Sequence, residues 1–551
     1  AATVGGLGIA PFATVADNVR LDGGALSFQQ AATIPATRGI QVGSPVAGNL
    51  TAGALDIGGN ALNTLTYAGV IANRGTAAGA LSKTGVGNLV LSGANTYTGR
   101  TLVSGGQLFL ANAATLAGGS SLEISGGTVD LLGNSQTGAN ALGAVTVAGG
   151  SLLASGRTLA TAGTLAATSF SFGYDNGAVA DSVVTAKLSG ASLTKVSPTR
   201  TLSLWNANTF TGTITHREGT LYLNNAGAIG GATTLEFAAG TLFDNRSDAA
   251  ITLASNPTIA FSTVISGTQG LQFGGTQAVN LGTGAVALAG PRTFAVFGSA
   301  PLTVGGVVSG TGLFTKANPG TLILSGANTF TQGVILNAGT LVAKNQSGLG
   351  TGTVKVLGGV LDLFGNSVAN VIQVFAGQVI NSGSGTLAAS ALEIDSSDAV
   401  LVSANISGSS SLSKSGTGVL TMTGNNTFSG GVNVLAGSVL VGSATALGSN
   451  VNAVAVKAGA TLDLNGYNVT IGSLANGDVG QGGVVTNTGA AKTLTLNGTA
   501  DATFGGAVSG ALSLVKTGAG SQAFTAASLA YTGTTTISGG TLDFTKVNYA
   551  T

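Results

Sequence analysis

The sequence has no cysteine, one histidine, one methionine, one tryptophan and only 8 prolines in 551 residues. Without Cys there is no disulfide framework, no thiolate metal site and no thiol catalysis. A single His, His216, excludes any metal centre built from several imidazoles. Charge is scarce as well: 20 Lys plus Arg and 19 Asp plus Glu make 7% of the chain. An ordinary soluble domain carries about 25%. The net charge of +1 and the few basic groups argue against a nucleic-acid partner, whose affinity comes largely from neutralised phosphates. Long apolar runs are also missing. Stretches such as Ala285 to Ala289 are far below the ~20 residues of a spanning helix, so no membrane span is expected in this chain. Ala1-Ala2-Thr3-Val4 lacks the basic start and apolar core of a signal peptide. A chain without thiols suits export through an oxidising compartment.

What is present is glycine, 91 residues of it, and 44% hydrophobic residues, too many for a disordered chain. One pattern recurs five times, anchored by Lys83, Lys195, Lys316, Lys414 and Lys516. Each Lys is followed 25 or 26 residues later by a Leu: Leu108, Leu221, Leu341, Leu440 and Leu542. Twelve or 13 residues after four of these lysines comes Asn-Thr-aromatic: Asn95, Asn208, Asn328 and Asn426, with Tyr97, Phe210, Phe330 and Phe428. The fifth copy keeps Tyr531 but has Leu529 in place of the Asn. A second motif, Leu-Asp-Leu or a relative, supplies Asp130, Asp244, Asp362 and Asp463.

The Lys-to-Lys period is 112, 121, 98 and 102 residues. A finer period lies inside it. Alternating pairs at Leu89/Leu91, Leu108/Leu110 and Val129/Leu131, then Leu152, return every 19 to 21 residues. Such alternation marks a strand with one buried face, and Gly, Asn, Ser and Thr bound each one as turn residues. No helical periodicity of useful length is present. Short strands at a fixed return predict an all-β fold, a right-handed parallel β-helix of ~20-residue coils. Roughly 27 coils at the inter-strand spacing would make a rod about 130 Å long. The expected divisions are N-terminal coils 1–69, repeats 70–182, 183–305, 306–403 and 404–505, and a partial repeat 506–551.

The repeat resembles the passenger-associated transport repeat, also called the autotransporter-associated β-strand repeat. Leu81-x-Lys83-x-Gly85-x-Gly87-x-Leu89-x-Leu91-Ser92-Gly93 and Asn95-Thr96-Tyr97-Thr98-Gly99 carry the resemblance. Ile34-Pro35-Ala36-Thr37-Arg38-Gly39-Ile40 is similar to another part of the same family's long repeat. The resemblance implies a secreted bacterial passenger with a β-helical fold, exported by a type V route. No alternating ~10-residue strands of a membrane barrel follow the fifth repeat.

Candidate chemistry is thin. One Lys and one Asp per repeat stand about five coils, or ~24 Å, apart. That is too sparse for a phosphate or glycan clamp, or for the adjacent carboxylates of a polysaccharide-active enzyme. Corner or solvated lysines and turn-capping aspartates are the plainer readings. Glu393, Asp395 and Asp398 form the one acidic cluster, but without the spacing of a calcium loop. Counted back from the anchor Leu, His216 occupies the place of Val103, Leu336, Leu435 and Ile537, so it reads as a packing substitution. The Gly-x-Gly pairs at Gly85, Gly416 and Gly518 lack the rest of a phosphate loop. At a corner, the amide of Asn95 and its counterparts can satisfy backbone groups that the turn leaves unpaired.

No catalytic, cofactor-binding or metal residue is assigned. The expectation is a non-enzymatic, extracellular, self-associating structural protein, a polymer of itself built through bland Thr/Ala/Gly faces. The alternative is an adhesin with a cell-surface or glycan ligand. Its most promising lobe is the departure from the repeat at 154–187, with Phe170, Phe172, Tyr174, Asp175 and Asp181.

Overall fold

The computed structural model describes residues 2–3, 15–44, 51–155, 161–173, 181–262, 270–383, 385–479, 481–525, 528–545 and 547. Tyr174 and Asp175 lie outside the described residues. Apart from one 3-10 turn at Gly138–Asn140, the regular structure among the described residues is strand. The chain is a parallel β-solenoid of about 24 coils, roughly 21 residues each. The count falls below 27 because turns lengthen some coils: Leu89 pairs with Leu108, 19 residues on, whereas Phe243 pairs with Phe273, 30 on.

Two compact units, Ala1–Gly284 and Ala285–Thr551, divide the chain. Within the first, one sheet face stacks an inner column of Leu55, Lys83, Val103, Ile124, Val147, Phe172, Lys195, His216 and Phe237. A second sheet face stacks Leu65, Leu89, Leu108, Val129 and Leu152. The x-L-x-L spacing builds these ladders because alternate residues point inward. Each fully buried aliphatic side chain contributes roughly 1.5–3 kcal/mol. The corner between the faces needs glycine at Gly106. Its φ is +59, and a Cβ there would lie 2.1 Å from the carbonyl oxygen of Gly87.

The second unit repeats the plan. Its first face stacks Phe294, Lys316, Leu336, Val356, Val374, Ile394, Lys414, Val434 and Val456. Its second face stacks Leu322, Leu341, Leu361, Val379, Val402, Met422 and Val441. Lys516 stands in a separate sheet, between Leu496 and Ile537.

Two expectations need correction, and a third is decided between its alternatives. The partner of Lys414 is Val434, fully buried, while Leu435 is 37% exposed. The inward anchor of that copy is accordingly Val439, not Leu440, and a one-residue slip in phase moves a side chain to the opposite face. Phe170 and Phe172 form no lobe. They are inward residues of the strand Thr164–Phe172, buried in the core. Of the two readings of the repeated lysines, corner or solvated, the structure places them at corners: all five are at most 2% exposed.

Candidate functional site

The repeated polar residues sit at three places in the coil. The Lys stands at or next to the end of the first-face strand, except Lys195, which lies within Ser192–Leu204, and it points inward at a corner whose carbonyls turn away from the ladder. Lys83 Nζ donates to the carbonyls of Thr84, Gly85 and Gly105 at 2.7, 2.9 and 3.0 Å. Lys316 Nζ does the same to Ala317, Asn318 and Ala338, and Lys414 Nζ to Ser415, Gly416 and Ala436. Lys195 Nζ reaches two carbonyls, Ser197 and Glu218, and Lys516 Nζ that of Gly518. One ammonium thus has three donors for three carbonyls that belong to two successive coils. Burial pulls the ammonium groups of Lys83, Lys195 and Lys316 down to about 8.

The Asn stands on the third side of the coil, where no continuous ladder pairs the backbone. Asn95 Oδ1 accepts from the Ile71 N–H at 2.8 Å, and its Nδ2 donates to the Thr115 carbonyl at 2.6 Å. Asn208, Asn328 and Asn426 repeat the bridge, to Leu188 and Ala228, Val308 and Gly348, and Ile406 and Ala446. Each amide joins the coil before to the coil after. The aromatic two residues on is buried: Tyr97 Oη lies 2.5 Å from Thr101 Oγ1, and the rings of Phe330 and Phe314 stack at 5.5 Å. Tyr531 makes the Tyr97 contact with Thr535 at 2.6 Å.

The Asp closes the second face. Asp362 accepts from the N–H of Phe364 and, one coil on, from the N–H and hydroxyl of Ser382. Asp463 does so with Asn465 and Thr488, and Asp130 with Leu132 and Ser155. Asp244 takes Thr276 and an ion pair with Arg246 at 2.7 Å.

These commitments leave the outward residues to meet solvent or partners, and the two faces differ. Down the first face of the second unit the outward column reads Thr315, Ile335, Lys355, Gln373, Glu393, Ser413 and Asn433. Down the second face, Ile323, Val342, Asp362 and Ile380 are successive partners, as are Leu401, Thr421, Leu440 and Asp463. The first unit shows the same second-face run in Val90, Phe109, Asp130 and Leu153. Only the capping aspartates carry charge there, and they are buried. Alternation alone does not reveal these runs, because several of the outward residues are aliphatic too.

Glu393 accepts from Gln373 Nε2 at 2.8 Å on the first face. Among the described residues no three His, Cys, Asp or Glu side chains gather closely enough to hold a metal ion. Two grooves of about 540 Å³ open on the surface, one beside Asn450 and Asn468, the other beside Leu62 and Val86; no charged side chain lines either. No helix among the described residues is long and apolar enough to cross a membrane.

The fold and its repeated corner define a repeat protein, a parallel β-solenoid. Residues 81–108, 314–343, 412–441 and 514–544 match the passenger-associated-transport-repeat model. The chain is 30% identical over 495 residues to the adhesin BmaC autotransporter of Brucella suis biovar 1 (strain 1330), covering 87% of this chain. The chain spans 13% of that relative's length. No solved structure matches. The chain carries the passenger-associated transport repeat, and the two findings together support an autotransporter passenger, a secreted protein of the bacterial surface.

Proposed function

We propose that this chain is a non-enzymatic adhesive stretch of an extracellular passenger, and that copies of it associate laterally through the second sheet face. One observation carries the reading: two outward runs of that face, one with Ile323, Val342 and Ile380 and one, continuing from Gln378, with Leu401 and Leu440, are largely aliphatic, and the charges within them are the capped Asp362 and Asp463, while the first face carries Lys355 and Glu393. A flat sheet face of this kind is self-complementary, and outward charge is how sheets resist such pairing. The non-enzymatic part is supported by where the polar groups are spent: the repeated Lys, Asn and Asp bond to backbone or to the adjacent turn.

The test is sedimentation of the purified chain over a concentration series, with electron microscopy of the same samples. The double variant Leu401→Lys, Leu440→Lys should remain monomeric where the native chain assembles, whereas Asn433→Lys on the first face should assemble. A native chain that stays monodisperse at high concentration overturns the lateral association. The second reading, a surface that engages a host-cell or glycan ligand, is favoured by the name of the adhesin relative. Binding of the charged double variant to cells at native strength would favour it.

A further inference from the structure

The copy anchored by Lys195 differs from the others at one buried position. Lys195 and His216 are direct register partners on the same inner column, 1% and 0% exposed. In the equivalent places Lys83 meets Val103, Lys316 meets Leu336 and Lys414 meets Val434. His216 Nε2 lies 3.0 Å from the Gly219 carbonyl, which can only accept. The ring proton therefore sits on Nε2, and Nδ1 presents a bare lone pair. Nδ1 is buried and has no hydrogen-bond partner. A second proton would create a buried N–H beside the Lys195 ammonium, and the nearby Glu218 carbonyl, which weakly favours the charged ring, already receives Lys195 Nζ.

No neighbouring element offers that proton a counter-charge. On the following strand Phe237 faces the imidazole, with ring centroids 6.1 Å apart. Glu236, beside it, turns outward to Thr215 Oγ1. Glu218 and Asp181 exert their field on Lys195, and the Glu218 carbonyl receives Lys195 Nζ. Asp244 is closed by Arg246. Arg200 and Arg217 are exposed and of the wrong sign. Burial, and then the charge of Lys195, hold the imidazole far below its ordinary range, at about 3. The ladder is also interrupted here: register shifts flank Val196 between the strands Ser192–Leu204 and Thr213–Leu223.

We propose that this coil is a proton-sensitive segment of the solenoid: acidification protonates His216 and opens the pairing of Ser192–Leu204 with Thr213–Leu223, while the coils built on Lys316 and Lys414 stay closed. In the open state His216 titrates in its usual range, near 6.5. Between that pH and about 3 the open state binds one more proton than the closed state. The stability of the closed coil is thus full above 6.5 and is lost as pH falls, the opening constant rising about tenfold per pH unit.

Hydrogen exchange on the full chain, corrected for the intrinsic pH dependence of exchange, reads this directly. From pH 6.5 to 4.5, opening of peptides across 192–223 should rise about 50-fold relative to peptides across 314–336. His216→Val should remove the difference, and Lys195→Met should reduce it. Because the chain has one His, its ring protons also report the closed state without assignment. Equal responses of the two segments, a rise that persists in His216→Val, or a folded-state titration of the ring near 6.5 would each overturn the proposal. The ring titration decides the question even if His216→Val fails to fold.

Discussion

At Lys316 the buried ammonium gives all three of its protons to carbonyls, and a leucine stacks beside it. At Lys195 it reaches two carbonyls, and a histidine stacks beside it. The Lys316 corner turns through Asn318 in the left-handed region, φ 67, a conformation Asn tolerates well. The Lys195 corner has no such residue and shifts register instead. The repeat model matches 314–343 and passes over the Lys195 copy. The difference shows what the lysine does: it is the hub of a corner, and the corner stays regular only where every proton finds a carbonyl and every neighbour is apolar.

Removing the hub is the most damaging way to break the comparison. Lys316→Ala removes three hydrogen bonds to part-buried carbonyls and leaves a cavity where the buried lysine stem packed, which should cost about 2–5 kcal/mol. Lys195→Ala should cost roughly half as much, because fewer bonds are lost. Local opening by hydrogen exchange is the proper measure, since coils of a solenoid need not unfold together. Equal losses at the two sites would show that the corners are equivalent after all.

The amide bridge comes next. Asn328→Ala unpairs the Val308 N–H and the Gly348 carbonyl, both buried, at about 2–4 kcal/mol. Asn208→Ala should cost the same, since its two bonds, at 2.8 and 2.7 Å, match those of Asn328. This separates the third side of the coil, which the two copies share, from the Lys corner, where they differ. The measurement is thermal unfolding of each variant, and an unchanged melting temperature would sink it. Leu529 marks the limit of the rule. There the strand Leu529–Tyr531 pairs with Ala507–Gly510 through its own backbone, so no amide is required.

The solenoid was legible because alternation, turn residues and a fixed return all describe one coil. The phase of the asparagines was conspicuous as well, but phase does not show that each reaches two different coils. The lysines could be read as corner or solvated residues, and the sequence did not decide between the two for a physical reason. A charged residue reads as surface, and only the geometry of the corner shows three carbonyls waiting for an ammonium. Leu440 and Leu435 misled through the alternation itself. Where outward positions are aliphatic too, a leucine-based phase can slip by one residue, and Val434 and Val439 are the inward pair. The same property hid the apolar second face.

The smallest effect concerns the turn that follows the capping Asp. Leu132, Phe364 and Asn465 stand in the left-handed region with φ of 48, 46 and 47, each giving its N–H to the Asp two residues before. A side chain other than Asn or Gly costs about 1 kcal/mol there. Leu132→Asn should therefore stabilise its coil by roughly 0.5–1 kcal/mol. Phe364→Asn should gain less, because Lys344 Nζ lies 4.3 Å from the Phe364 ring centroid, a contact worth about 0.5–1 kcal/mol at an exposed site. If the two substitutions raise thermal stability equally, the cation–ring contact contributes nothing and the turn conformation alone sets the preference. If Leu132→Asn destabilises, packing of the leucine outweighs the backbone strain, and the Asp cap holds that turn against its own residue's preference.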